Sequence, residues 1–168
     1  MATKVWSFLT ALLFPMAVMA QKVDNTPVSF LSLDRYIGTW YEIARFDHSF
    51  ERGIDMSTAR YSKTDDGKIK VVNSGMKYGK VKTSIGKAKT TDVPGLLRVS
   101  FFGPFYSDYR VLMVTSDYKY ALVGSSSPKY LWILSRTPQL PDDIRQKILF
   151  EARSRGYDTG KLIWVRHQ

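Results

Sequence analysis

Short segments in which apolar and polar residues alternate, separated by turn residues about every ten positions, make up most of the chain after Pro27. Alternation of this kind places successive side chains on opposite faces of a β-strand. The sequence Asp65-Asp66-Gly67 between two such segments is typical of a tight hairpin turn. The pattern predicts eight or nine strands, at 39–46, 56–64, 68–77, 82–90, 96–102, 109–115, 118–125, 130–136 and 161–165.

The same alternation separates an inner from an outer face of the predicted sheet. In LLRVSFF, the side chains of Leu97, Val99 and Phe101 share one face, whereas Arg98 and a serine share the other. The segment YLWILSR is apolar on both faces, which indicates that its outer face is also covered. The chain therefore needs an element outside the sheet.

One segment, PDDIRQKILFEARSRG (141–156), follows a helical period instead of a strand period. Apolar residues recur at helical spacing from Ile144 to Ala152, Pro141 stands at the start and Gly156 at the end. Such an amphipathic helix must bury one face. Strands in series followed by one late helix indicate a closed antiparallel meander with the helix on its outer wall.

The length of 168 residues is that of one domain with a single core. The first twenty residues have Lys4 near the start, an apolar block and small residues before Gln21, an arrangement typical of a signal peptide. The uncharged run is shorter than the ~20 residues that a membrane anchor needs, and a proline interrupts it. We therefore predict a cleaved signal peptide at 1–20 and one domain at 21–168.

Two features of the composition limit the function classes. The sequence contains no cysteine, which excludes thiolate metal sites, cysteine nucleophiles and a lipid-modified cysteine. Loss of the first twenty residues removes one lysine and lowers the formal charge from +10 to +9. A strongly positive protein attracts anionic partners, so peripheral contact with an anionic membrane surface is left open. A homodimer is also left open.

The segment GTWYEIARF (38–46) near the start of the meander, with SRTP (135–138) closing its last strand before the helix, resembles the sequence motifs of the lipocalins. The likeness is greatest to bacterial lipocalins and the apolipoprotein D group. It covers 30–167 and includes VSFFGPFY, YLWILSRTP and the helix followed by KLIWV. The resemblance implies an all-β fold, an eight-stranded up-and-down antiparallel barrel with one C-terminal α-helix packed on its outside.

The resemblance also implies structural roles for three residues. In the family pattern Gly38 and Trp40 lie at the closed end of the barrel, and Arg136 lays its guanidinium across the tryptophan ring. Arginine suits this role because it stacks on indole and donates to nearby carbonyls. The segment TSDYKY (115–120) matches the family's middle motif only in part, because Ser116 stands where an acidic residue is usual.

Four polar residues close to the first motif, Glu42, Asp47, His48 and Glu51, are candidates for catalysis or metal binding. A strand period places Glu42 and Asp47 on opposite faces, and the only other histidine is His167. The sequence also lacks the G-x-S-x-G motif of a serine nucleophile. We therefore predict no catalytic residue, no metal site and no cofactor.

The residues predicted to face the interior combine small or medium side chains with aromatic walls, which leaves room for one small ligand. The predicted ligand-binding residues are Ala59, Tyr61, Val71, Asn73, Leu97, Val99, Phe101, Leu112, Val123, Tyr130 and Trp132. This lining predicts a carrier of a fatty acid or lysophospholipid, for lipid transport or storage in the cell envelope. The alternative is a lipocalin-type enzyme that acts on a hydrophobic substrate in the same cavity.

Two further expectations concern partners and location. The lysines are scattered in alternation, which is typical of a solvated face and not of a nucleic-acid surface, so no nucleic-acid partner is predicted. The protein is expected to be exported and periplasmic or secreted. Association with the outer membrane is left open, because bacterial lipocalins are commonly tethered there through the lipid-modified cysteine that this sequence lacks.

Overall fold

The computed structural model describes residues 22–167, so the predicted signal peptide lies outside the described residues. Within this range the chain forms α1 (Leu33–Tyr36), β1 (Gly38–Phe46), β2 (Asp55–Lys63), β3 (Ile69–Lys77), β4 (Lys80–Thr90), β5 (Leu96–Phe102), β6 (Phe105–Val114), β7 (Tyr120–Gly124), β8 (Leu131–Ser135), α2 (Asp142–Ser154) and β9 (Leu162–Trp164). A short 3₁₀ turn at Thr159–Lys161 precedes β9.

Strands β1 to β8 form a closed antiparallel barrel. Each strand pairs with the next one, and β1 pairs with both β8 and β2, which closes the sheet. Strand β9 pairs with the second half of β1, on the edge opposite β8 and beyond the residues that pair with β2. The barrel confirms the predicted eight-stranded up-and-down architecture.

The predicted strand boundaries agree with the structure except in a few places. Strand β6 begins at Phe105 and not at 109, and β7 is confined to Tyr120–Gly124. The turn at Gly67 has a φ of +77°, a left-handed conformation that glycine adopts without strain. This glycine explains the tight hairpin between β2 and β3. The four-residue helix α1 was not predicted.

Helix α2 covers the outer wall of the barrel, as its amphipathic pattern predicts. Asp142 and Asp143 lie in its first turn, where acidic side chains interact favourably with the helix dipole. Its apolar face contributes Ile148 and Ala152 to a fully buried cluster that also contains Ile133 of β8. The cover over β8 explains why this strand is apolar on both faces.

The two ends of the barrel differ in the connections that they carry. The β1–β2, β3–β4, β5–β6 and β7–β8 connections lie at one end, which we call the open end. The remaining hairpin turns lie at the opposite end, together with Gly38 and Arg136, and we call this the closed end.

None of the helices in residues 22–167 is long and apolar enough to cross a membrane.

Candidate functional site

The closed end is sealed by one arginine over one tryptophan. The guanidinium carbon of Arg136 lies 3.7 Å from the centroid of the Trp40 ring. Its nitrogens donate to the backbone carbonyls of Thr39 at 2.9 Å, Tyr36 at 2.9 Å and Ile37 at 3.0 Å. The indole nitrogen of Trp40 donates to the carbonyl of Tyr36 at 2.8 Å. These bonds fix the tryptophan as a fully buried floor of the barrel.

Gly38 allows the chain to pass beneath this arginine. Its φ is +105°, a conformation that other residues adopt only with strain. A Cβ atom at this position would lie 3.2 Å from Nη1 of Arg136, closer than an ordinary van der Waals contact. The glycine, the tryptophan and the arginine of the two motifs therefore form one structural unit.

Three tyrosines form a layer above Trp40 inside the barrel. The hydroxyl groups of Tyr36 and Tyr109 are 2.6 Å apart, and the ring of Tyr61 lies 5.9 Å from that of Tyr109. Burial raises the pKa of Tyr61 to about 12 and also raises the pKa values of Tyr36 and Tyr109, so all three stay protonated at neutral pH. The layer offers hydroxyl groups at the base of the interior.

Most of the predicted ligand-binding residues do face the interior. The interior cluster contains Ala59, Tyr61, Val71, Leu97, Val99, Phe101, Val123 and Trp132. The register between β2 and β3 pairs Ala59 with Asn73, which places the asparagine on the same face. Tyr61, Val71, Leu97 and Val123 are buried, whereas Ala59, Asn73, Val99, Phe101 and Trp132 remain partly exposed.

Leu112 does not face the interior, contrary to the expectation from the sequence. Strand β6 turns Tyr109 and Val111 inward, and the register then shifts between Val111 and Met113. Leu112 packs instead in the cluster beneath α2. The strand is apolar on both faces here because the helix covers its outside, so alternation could not separate the two faces.

Tyr130 lies at the open end, just before β8. Its ring stacks on that of Trp132 at a centroid distance of 5.9 Å and an interplanar angle of 8°. The ring of His48, from the β1–β2 loop, lies 5.6 Å from the ring of Tyr130. Phe50 of the same loop stacks on His48 at 3.9 Å. Four aromatic rings therefore border the entrance on this side.

A β-bulge in β1 turns two charged residues into the interior. Glu42 pairs with Leu134, but Ala44 pairs with Ile133, so Ile43 is an extra residue on the β1 side. Ile43 and Ala44 both lie in the outer cluster. Glu42 and Arg45, which a regular strand would place on opposite faces, therefore both point inward.

These residues form a buried polar cluster with the β1–β2 loop. Nη1 of Arg45 donates to Oε1 of Glu42 at 2.7 Å, and its Nη2 donates to the carbonyl of Glu51 at 2.8 Å. The Glu51 carboxylate accepts from the indole nitrogen of Trp132 at 3.1 Å and lies 2.9 Å from Nε2 of His48. The cluster thus joins the barrel wall to the loop that borders the entrance.

The Glu42 carboxyl is the most strongly perturbed acid in the cluster. Burial raises its pKa above the ordinary value, and the charge of Glu51 acts in the same direction. The Arg45 guanidinium opposes this shift but does not cancel it. Asp47, the fourth candidate from the sequence, is exposed and forms a surface ion pair with Arg52 at 2.9 Å.

The cluster is not arranged to hold a metal ion. Within residues 22–167, no three histidine or acidic side chains come together in a geometry that could ligate one. The inward placement of Arg45 is the feature that sequence reasoning missed, because the bulge at Ile43 breaks the period of the strand. The one sign of this placement in the sequence was the charge of Arg45 within the otherwise apolar end of β1.

The comparisons with known proteins agree with this geometry. The sequence profile of the lipocalin-like domain matches residues 31–167. Over 145 residues the chain is 48% identical to the outer membrane lipoprotein Blc of Escherichia coli (strain K12), an alignment that covers 84% of this chain and 82% of that protein. Over 152 residues it is 32% identical to apolipoprotein D of Rattus norvegicus, covering 84% of this chain and 80% of that protein.

A solved structure shares the fold at lower sequence identity. Insecticyanin from the tobacco hornworm Manduca sexta superposes with a TM-score of 0.71 at 23% identity, and the match covers 85% of this chain and 84% of that one. The profile match spans the whole barrel and α2, including the three residues that close its end. The chain therefore belongs to the lipocalin family.

Proposed function

We propose that the protein is a non-enzymatic carrier that holds one single-chain lipid, a fatty acid or a lysophospholipid, inside the barrel. The observation that supports this most is a gradient of exposure on the side of the interior formed by β2 to β5. There Val71 and Leu97, near the tyrosine layer, are buried, whereas Val99 and Phe101, farther from the closed end, are apolar and partly exposed. An apolar wall accessible from the open end suits an alkyl chain.

The energetics of such a ligand are adequate. Burial of about ten methylene groups contributes roughly 8 kcal/mol at ~0.8 kcal/mol each. Association and ordering of the chain cost several kcal/mol, which leaves a dissociation constant in the micromolar range. An eight-stranded barrel holds one small ligand, so a two-chain phospholipid is expected to be excluded.

The polar head of the lipid is expected at the open end. The register between β3 and β4 pairs Lys82 with Gly75, on the same face as Asn73. This lysine therefore stands at the rim on the inward side, where it can pair with a carboxylate or phosphate. Arg45 is already engaged by Glu42 and is not expected to bind the head.

The cell envelope is the proposed location. The E. coli relative is named an outer membrane lipoprotein, which supports export and an envelope role. The proposal includes a signal peptide at 1–20, a mature domain at 21–168, and a periplasmic or secreted protein. Lipid transport or storage in maintenance of the envelope would follow from these properties.

An enzyme acting on a hydrophobic substrate in the same interior is the competing proposal. Glu42 is the one acid there with a raised pKa, but Arg45 and Ser57 already occupy its oxygens. A carrier returns its ligand unchanged, so chromatography of lipid recovered after prolonged incubation separates the two proposals.

Titration of delipidated protein tests the carrier function. Palmitate, lysophosphatidylcholine and hexadecanol should be compared by isothermal calorimetry, on the wild type and on Lys82→Gln. We expect palmitate and the lysophospholipid to bind with micromolar dissociation constants. The lysine variant should weaken palmitate binding about fivefold or more and leave hexadecanol unchanged. Absence of binding tighter than ~100 μM for all three lipids would contradict the proposal.

A further inference from the structure

Three aromatic side chains project into solvent from two neighbouring hairpins at the open end. Tyr78, in the β3–β4 turn, is 90% exposed. Phe102 and Phe105, which pair across the β5–β6 turn, are 81% and 78% exposed. Nothing in the described chain covers these rings. Exposing large apolar side chains to water is unfavourable, and a group of them on adjacent loops marks an interaction surface.

The outer face of β3 and β4 continues this apolar surface away from the turn. Val81 and Ile85 are 70% and 62% exposed, and Ile85 pairs with Val72 of β3. Lys87 of β4 pairs with Ser100 of β5. Because the strands are antiparallel, Ile85, two residues before Lys87, lies beside Phe102, two residues after Ser100. We call the exposed set Tyr78, Val81, Ile85, Phe102 and Phe105 the rim patch.

The hairpin that carries most of the rim patch is strongly basic. Between residues 68 and 91 the sequence contains seven lysines and no acidic residue. Lys77 and Lys80 flank the β3–β4 turn directly and are not neutralised by any carboxylate within residues 22–167. Exposed aromatic rings beside Lys77, Lys80 and Lys82 suit the interface of an anionic bilayer, where rings enter the headgroup region and ammonium groups meet lipid phosphates.

We propose that the rim patch docks the protein on an anionic lipid bilayer with the open end of the barrel toward the membrane. This inference rests on the proposed carrier function for its purpose, because an entrance held against the bilayer lets a lipid pass between membrane and barrel with little exposure to water. The charge decides between a bilayer and a second copy of the chain. Two copies meeting at these hairpins would bring like-charged lysines together.

Flotation with lipid vesicles tests the docking. Full-length mature protein should be mixed with vesicles of phosphatidylethanolamine that contain about 30% phosphatidylglycerol, and with vesicles of phosphatidylcholine alone. The key variant combines Tyr78→Ser, Phe102→Ser and Phe105→Ser. Phe150→Ser is the matched control, because this ring is 68% exposed but belongs to α2 and not to the β3–β4 or β5–β6 hairpin. A second variant combines Lys77→Gln and Lys80→Gln.

We expect the wild type and Phe150→Ser to float with the anionic vesicles and to bind the neutral ones at least tenfold more weakly. The aromatic variant should lose at least tenfold in anionic vesicle affinity, and the lysine variant about tenfold, with the salt dependence reduced. Both should melt within a few degrees of the wild type, and Tyr78→Ser alone serves if the triple variant does not fold.

Equal flotation of the aromatic variant and the wild type would overturn the proposal, as would a wild type that ignores anionic vesicles. A dimer that dissociates on removal of the rings, with vesicle binding unchanged, would overturn it in favour of a protein interface.

Palmitate titration of the same variants distinguishes failure of the carrier function from failure of the docking. Vesicle docking without palmitate binding would contradict the carrier alone, and palmitate binding without docking would contradict the rim patch alone.

Discussion

The indole nitrogen of Trp132 donates a hydrogen bond of 3.1 Å to Oε2 of Glu51, which joins the inner wall of the barrel to the loop at its open end. Arg45 holds the same loop by donating to the backbone carbonyls of Glu51 at 2.8 Å and Ile54 at 3.1 Å. The loop that borders the entrance is therefore held by side chains that also line the interior. Its mobility should depend on these few bonds.

Replacement of Glu51 by alanine should loosen this loop. A hydrogen bond to a charged group contributes about 1.5–3 kcal/mol, so amide exchange in residues 49–54 should become about tenfold faster or more. Hydrogen exchange followed by mass spectrometry measures the effect. Asp47→Ala is the control, because its ion pair with Arg52 is on the surface and contributes little. Equal exchange rates in the two variants would contradict the assignment.

Arg136→Ala should destabilise the fold without changing the affinity for lipid. The variant loses a cation–π contact of about 0.5–2 kcal/mol and leaves backbone carbonyls without donors, for a total of about 2–4 kcal/mol. Urea unfolding and palmitate titration should be run together. Arg145→Ala removes a comparable contact, 4.0 Å from the ring of Trp164, from the surface and should cost less than about 1 kcal/mol. Intact stability with lost binding would make Arg136 part of the ligand site.

The barrel itself could be predicted from the sequence, and so could the residues on its regular strands. In β3 and β5 strict alternation identified Val71 and Val99 as inward-facing, because the outer face of these strands is polar enough to show the period. In β6 the prediction for Leu112 was wrong. The helix makes the outer face apolar as well, so the sequence pattern no longer distinguishes the two sides.

The polar cluster could not be predicted, for a different physical reason. An alternating pattern assumes one residue per step, and the bulge at Ile43 adds a residue that reverses the orientation of everything after it. Arg45 consequently meets Glu42 inside the barrel. The exposed rings of the rim patch were also missed, since sequence alone does not show which apolar residues remain uncovered.

Replacement of Glu42 by glutamine should flatten the dependence of stability on pH. Because the pKa of Glu42 is raised in the folded protein, the folded state binds this proton more tightly than the unfolded chain does. Its contribution to stability is complete below the ordinary value of 4.5 and is lost as the pH rises toward 8. Glu42→Gln should match the wild type at low pH and exceed it at the upper end of this window. If the free energy of unfolding changed with pH in the same way in both proteins, the raised pKa would be contradicted.

Filling the interior should abolish lipid binding. Val99→Trp places an indole on the inward face of β5, where it occupies the volume proposed for the alkyl chain and costs about 1–3 kcal/mol of stability. Palmitate affinity should fall at least tenfold. Val81→Trp adds the same ring at a position that is 70% exposed outside the barrel and should bind palmitate like the wild type. Equal loss in both variants would point to a surface site.

The position of a bound chain is the most direct test of the carrier function. Nuclear Overhauser effects between the alkyl protons of bound palmitate and ¹³C-labelled valine methyl groups report direct contact, so they distinguish the two faces of one strand. We predict such effects for the inward-facing Val71, Val99 and Val123 and none for Val72 and Val81 on the outside. Effects confined to the outward-facing valines would place the lipid on the surface and contradict the carrier function.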